Sequence, residues 1–223
     1  MPDLSQRATE PEMLDEGVPE SEALESLADL RRVNRWLGTH RRLRRATRPF
    51  LTSSPRPRLL DVGCGSADIT ERIRRSFPGP LLAVGVDLKL LHLRAAPPSV
   101  RRVVADVHAL PFPSGTFDVV LASHFLHHFD GGEAAAVLRR LYDLARRALI
   151  VDDIRRARVP YVFARSFFPF LLRSRVSVAD GALSIRRAFT APELAAAFAD
   201  AGIPVRIGRV FPYGLLAVAP KAA

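Results

Sequence analysis

The chain has 223 residues, 48% of them hydrophobic and 25% charged, with 33 Lys+Arg against 23 Asp+Glu for a formal net charge of +10. That length and apolar fraction suit one well-buried domain or two small ones and exclude a wholly disordered chain, while the single cysteine, Cys64, excludes a disulfide scaffold. No apolar stretch approaches the ~18–20 residues of a membrane span, and the start Met1-Pro2-Asp3 lacks the basic and apolar regions of a signal peptide, so a cytoplasmic setting is expected.

The charge is segmental. Residues 1–30 hold nine acids and one base, net −8; residues 31–60 hold ten arginines and no acid, net +10; residues 61–223 hold 22 bases and 14 acids, net +8. Only Lys89 and Lys221 are lysines, so the basic excess is arginine-biased and is weak support for a nucleic-acid partner. Residues 1–19, with three prolines, many acids and no apolar period, read as a disordered acidic leader, dispensable for activity. Leu24, Leu27, Leu30, Val33, Trp36 and Leu37 then recur at intervals of three and four, which predicts a helix from Glu20 or Ser21 to Gly38. A second, basic helix is predicted from Thr39 to about Phe50, with a linker at Ser53-Ser54-Pro55. Residues 20–55 thus read as an N-terminal helical cap ahead of the sheet.

From residue 56 onward the pattern alternates as in a parallel sheet with crossover helices. Strands are predicted at Arg58–Val62, Leu81–Val86, Arg101–Ala105, Phe117–Ala122, Ala148–Val151, Val205–Val210 and Leu215–Ala219. Helices are predicted at Ala67–Phe77, Leu88–Ala95, Gly132–Arg146 and Pro192–Ala201, the last opened by the capping box Thr190/Glu193. Residues 154–188 break the rhythm. Pro160 and Pro169 read there as brackets of a short aromatic helix and Asp180-Gly181 as a turn, which suggests an apolar substrate lid. Arg186-Arg187 are candidates to bind an acidic group at its mouth, and the aromatic strip with its flanking arginines is also a candidate for peripheral membrane contact.

The run Leu59-Leu60-Asp61-Val62-Gly63-Cys64-Gly65-Ser66-Ala67-Asp68 places glycines where a strand turns into a helix, so the backbone can approach a ligand. Asp68 stands where a dinucleotide fingerprint has its third glycine and would repel a pyrophosphate. Asp87 ends the second strand, 22 residues after Gly65, at the position from which a carboxylate takes ribose hydroxyls. Asp106 follows the third strand, and Phe117-Asp118 enters the fourth. Each acid alone is also an ordinary turn former.

Together, Leu59–Gly65, Val84–Asp87, Ala105–Phe112, Phe117–Phe129 and Leu149–Asp153 resemble the class I S-adenosylmethionine-dependent methyltransferases, most closely their small-molecule branch acting on quinones and polyketides. The resemblance implies an α/β Rossmann-like fold with a seven-stranded sheet, order 3-2-1-4-5-7-6, last strand antiparallel, over residues 56–223. It implies S-adenosyl-L-methionine as cofactor, with Asp61, Gly63, Gly65 and Ser123 near its methionine end, Asp87 and the adjoining Leu88 at the ribose, and Asp106 with Val107 at the adenine. Ala67 departs from the family, many of whose members have a third glycine there.

Methyl transfer from an activated sulfonium needs alignment, plus a base when the acceptor is a phenol or an enolisable carbon. The candidates follow the fourth and fifth strands: His124 foremost, then His127, with His128, Asp152 and Asp153 nearby. A magnesium site of the catechol type needs an acid just past the fourth strand, where Ser123-His124-Phe125 stands, so no metal is expected. The readings are methyl transfer to oxygen or carbon of a small lipophilic phenol, quinone or polyketide; transfer to RNA or protein docked on the arginine-rich helices; and a cofactor-binding interaction protein without catalysis. Against base methylation of nucleic acid, Ser123-His124-Phe125-Leu126 is unlike the Asn/Asp-Pro-Pro-Tyr motif. The sequence leaves oligomeric state open.

Overall fold

The computed structural model describes residues 3–221. Its centre is a sheet of β1 (Arg58–Val62), β2 (Leu82–Asp87), β3 (Arg101–Val104), β4 (Phe117–Ser123), β5 (Ala145–Ile154), β6 (Arg206–Val210) and β7 (Gly214–Pro220), in the order β3-β2-β1-β4-β5-β7-β6. β1 to β5 run parallel, and β7 lies antiparallel between β5 and β6, as the sequence implied. The central strands are continuous apolar runs because helices cover both of their faces.

Those helices are α1 (Met13–Glu16), α2 (Glu20–Trp36), α3 (Thr39–Thr52), α4 (Asp68–Ser76), α5 (Leu90–Arg94), α6 (Gly131–Leu144), α7 (Arg158–Leu171), α8 (Arg175–Arg187) and α9 (Ala191–Asp200). Leu60, Val120 and Leu149 face α6 and α9 through Leu138, Leu141 and Phe198. Their sequence neighbours Leu59, Val119 and Ile150 face the other way, onto Leu43 and Leu51 of α3 and Ile69 and Ile73 of α4. α3 is therefore part of the domain core, and the boundary expected at residue 55 is no boundary in packing. No helix among the described residues is long and apolar enough to cross a membrane.

Four local readings are corrected. Residues 3–19, expected to be disordered, form a strap bonded along its length to the far end of the chain. Arg156 donates to the carbonyl of Leu4, Ala8 donates its N–H to Arg186, and Arg7 donates to the carbonyls of Arg187 and His127 while its guanidinium lies 3.8 Å from the centre of the Phe189 ring. Asp180-Gly181 is no turn but the middle of α8. Its carboxylate accepts the N–H groups of Met13 and Leu14, the unpaired donors that open α1, and a Cβ on Gly181 would lie 2.6 Å from the ring of Phe168. Pro160 and Pro169 lie inside α7 rather than bracketing it; Pro160 falls in the first turn, where its missing N–H costs nothing. β5 also runs longer than its predicted Ala148–Val151.

Candidate active site

The carboxyl ends of β1, β2, β3 and β4 open into a cavity of about 450 Å³, within the roughly 300–1,000 Å³ of small-molecule sites. Five sets of residues wall it: the β1 and β2 tips, the turn after β3, the segment after β4, the inner face of α2, and the lid α7–α8 with the strap.

On the strand side, Gly63 and Gly65 both have positive φ, +66° and +52°, which glycine adopts without strain. A Cβ on Gly63 would lie 2.1 Å from the Phe125 ring, so a side chain there would close the cavity wall. Asp87, at the tip of β2, accepts the N–H of Gly65 at 2.8 Å and that of Lys89 at 2.9 Å, and stands 3.2 Å from Nδ1 of His92. The carboxylate is held rigidly at the cavity edge beside Leu88. Asp106 accepts the N–H of His108 and so fixes the turn that brings Val107 to the wall. These six predicted positions come together on one cavity and fit an adenosyl group with a charged methionine tail.

Asp61, Ser123, Asp152 and Asp153 do not line it. Asp61 is buried behind the glycine turn, accepts a hydrogen bond from Thr70, and is pushed up to about 7 by burial, with Asp68 and Asp87 adding to the rise. It braces the turn. Ser123 is buried with its hydroxyl unpartnered, next to the wall formed by His124 and Phe125. Asp152 is fully buried and takes both arms of Arg42, at 2.7 and 2.8 Å, which ties α3 to β5. Asp152 thus stands away from the cavity as the structural partner of Arg42.

The two histidines separate sharply. His124 has φ +51°, strained for a non-glycine residue, and its N–H is anchored on the carbonyl of Asp152. Its imidazole lines the cavity with Nε2 buried and unpartnered. Burial holds it below its ordinary value of 6.5, outweighing the pull of Asp152 and Asp153. It is therefore neutral near pH 7. His127 is the opposite case: burial alone would lower it, but the charge and hydrogen bond of Asp153 at 2.7 Å and of Glu12 at 3.3 Å push it up to about 10. As an imidazolium it has no lone pair with which to accept a proton.

Glu12, His127 and His128 bring their donor atoms within 4.8 Å of one another. Nδ1 of His127 is held by Asp153, and the trio forms a clasp between the strap and the segment after β4. Glu12 of the strap accepts from Ser184 and His127, His128 lies 2.7 Å from Asp15, and Lys89 donates to the carbonyls of Leu14 and Asp15. Arg187, expected to face an acceptor, instead donates to the carbonyls of Glu10, His127 and His128. Sequence reasoning missed His92, which meets Asp87 five residues earlier, and Glu12 and Lys89, whose roles rest on contacts across many residues and leave no local signal.

The model of the family described as "Methyltransferase domain" matches residues 59–148. The chain is 31% identical over 134 residues to a demethylmenaquinone methyltransferase of Roseiflexus sp. (strain RS-1), covering 56% of this chain and 55% of that one. It is 33% identical over 106 residues to the EEF1A lysine methyltransferase 4 of Mus musculus, covering 44% and 39%. It therefore spans only about two fifths to just over half the length of these two curated relatives. Among solved structures, the plantazolicin methyltransferase BpumL, bound to a triazolic desmethyl analogue and SAH, superposes with a TM-score of 0.63 over 94% of this chain and 88% of that one, at 13% identity. At that identity the likeness is one of fold.

Proposed function

We propose, from the premise that residues 59–148 belong to the methyltransferase domain family, that this chain transfers a methyl group from S-adenosyl-L-methionine to oxygen or carbon of a small lipophilic acceptor such as a phenol, quinone or polyketide. One observation carries the reading: a single cavity joins the glycine turn and Asp87 to the unpartnered imidazole of His124 and an apolar lid. Asp87 would take the ribose hydroxyls, Gly63 and Gly65 would let the backbone approach the methionine tail, and Asp106 with Val107 would meet the adenine. The cofactor supplies an electrophilic methyl on a positively charged sulfur. His124 would take the acceptor's proton as the methyl arrives, and its depressed basicity keeps it ready at neutral pH. The inner face of α2, through Leu27, Leu30 and Val33, and the lid residues Phe168, Leu172 and Ile185 would exclude water and orient the acceptor.

The test is incubation of the protein with isotopically labelled cofactor and a panel of phenols, quinones and polyketides, read by mass spectrometry. A labelled methyl on one of these products supports the reading. Cofactor binding with no turnover on any of them would favour the non-catalytic interaction role, and labelled protein or RNA would favour the macromolecular one.

A further inference from the structure

We propose that the outer face of α7, with the adjoining Phe211 turn, docks on the surface of an anionic phospholipid bilayer. α7 divides cleanly at helical spacing. Ala164, Phe168 and the following Leu172 point inward, the latter two onto the cavity, whereas Val159, Val162, Phe167 and Phe170 lie on the opposite side. That outer face is open to solvent: Phe170 is 86% exposed and Phe167 52%. Phe163 stacks on Phe167 at 5.0 Å and meets Tyr213 at 5.9 Å, so the patch continues into the β6–β7 turn, where Phe211 is 90% exposed. Large aromatic side chains standing out of a helix and a neighbouring turn at this exposure form a wedge suited to the boundary between headgroups and acyl chains.

Charge selects the occupant. Residues 155–179 contain six arginines and no acid. Arg156 and Arg175 are engaged with Glu193 and Glu22. Arg158 and Arg165, one heptad apart, border the apolar face and are exposed, as is Arg173 just past the helix; among the described residues none of the three has an ion pair. Guanidinium groups flanking an aromatic face match phosphate headgroups, with their stems lying along the apolar surface. A second copy of the same face would set these unpaired cations against one another. Because the inner face of the same helix walls the cavity, docking would place the bilayer one helix thickness from the acceptor site. The docking stands independently of which acceptor is methylated.

The test is co-sedimentation of the full chain with phosphatidylcholine vesicles, with and without phosphatidylglycerol, at low and high salt. The expected result is binding to the anionic vesicles alone, weakened by salt. Phe167→Ser with Phe170→Ser should weaken it about tenfold or more, since each ring withdraws from the lipid boundary. Arg158→Glu with Arg165→Glu should abolish it. All four positions are exposed, so an unchanged melting temperature verifies that these variants fold. Absence of binding to anionic vesicles overturns the proposal, as does binding that survives the phenylalanine changes. A dimer that those changes dissociate, without vesicle binding by the wild type, would overturn it in favour of a second copy.

Discussion

Protonation state, more than position, distinguishes His124 from His127 in the segment after β4. Replacing His124 by Asn should lower kcat about a hundredfold or more on any acceptor that must lose a proton, while leaving cofactor binding close to wild type. The wild-type rate should fall on the acid side as His124 takes up its proton below pH 6.5, and the residual rate of the variant should lack that limb. A steady-state pH profile of both proteins checks this, and an unchanged acid limb in the variant would remove His124 from the mechanism. His127 acts on stability instead. Its folded value, near 10, lies above the ordinary 6.5, so its contribution is fully present below about pH 6.5 and is lost as pH rises through 10. Denaturant unfolding should therefore show wild-type stability declining between pH 7 and 10 by an amount on the order of a few kcal/mol. His127→Gln should be less stable at pH 7 and show a flatter slope over that range. Cys64, whose buried thiol is pushed well up, titrates in both proteins and so cancels in the comparison.

Among the elements, α3 is held to β5 by a buried ion pair, and this separates docking from catalysis at Asp152. Asp152→Ala leaves Arg42 half-buried without its partner, and loss of such a partner costs roughly 3–5 kcal/mol, so the melting temperature should drop sharply. The milder Asp152→Asn should keep kcat per folded molecule within a few-fold of wild type; a hundredfold loss in a variant that still melts cooperatively would return Asp152 to the reaction. The lid offers a second test. Gly181→Val puts a side chain where the Phe168 ring lies, so the ring must shift, and the acceptor KM should rise about tenfold with the cofactor affinity unchanged. These two helices also mark what local sequence reveals. The Thr190/Glu193 capping box and the period of α2 were legible because their partners lie within a turn or two. Asp180-Gly181 misled because both residues serve distant neighbours: the carboxylate caps α1 and the missing Cβ admits Phe168, and these outweigh the turn preference of the pair.

Closure of the molecule over its cavity depends on the strap, and here composition pointed away from the structure. Residues 3–19 bury few apolar side chains, so nothing in their pattern announces order; what holds them is a set of charge-assisted bonds to Arg156, Arg187, His127 and Lys89, all remote in sequence. The glycine turn and Asp87 were legible because strand ends and helix starts put them together locally, whereas the strap side of the site exists only in the tertiary structure. Because Glu12, Leu14 and Asp15 line the cavity, the leader is now predicted to be needed for full activity. Removing residues 1–17 would delete Glu12, Leu14 and Asp15 from the cavity wall, open the acceptor site to water and leave the buried His127–Asp153 pair facing solvent. The truncated protein should bind S-adenosyl-L-methionine, since Gly63, Gly65, Asp87 and Asp106 are untouched, but its acceptor KM should rise about tenfold and its kcat should fall as water enters. Glu12→Gln with Asp15→Asn should reproduce part of the loss without shortening the chain. Proteolysis gives an independent readout: the intact strap, with Ala8 and Glu12 buried and Arg7 bonded to backbone carbonyls, should resist cleavage, and His127→Gln should make it susceptible. A truncated protein that matches full-length kinetics would mean that the strap covers the site without forming part of it.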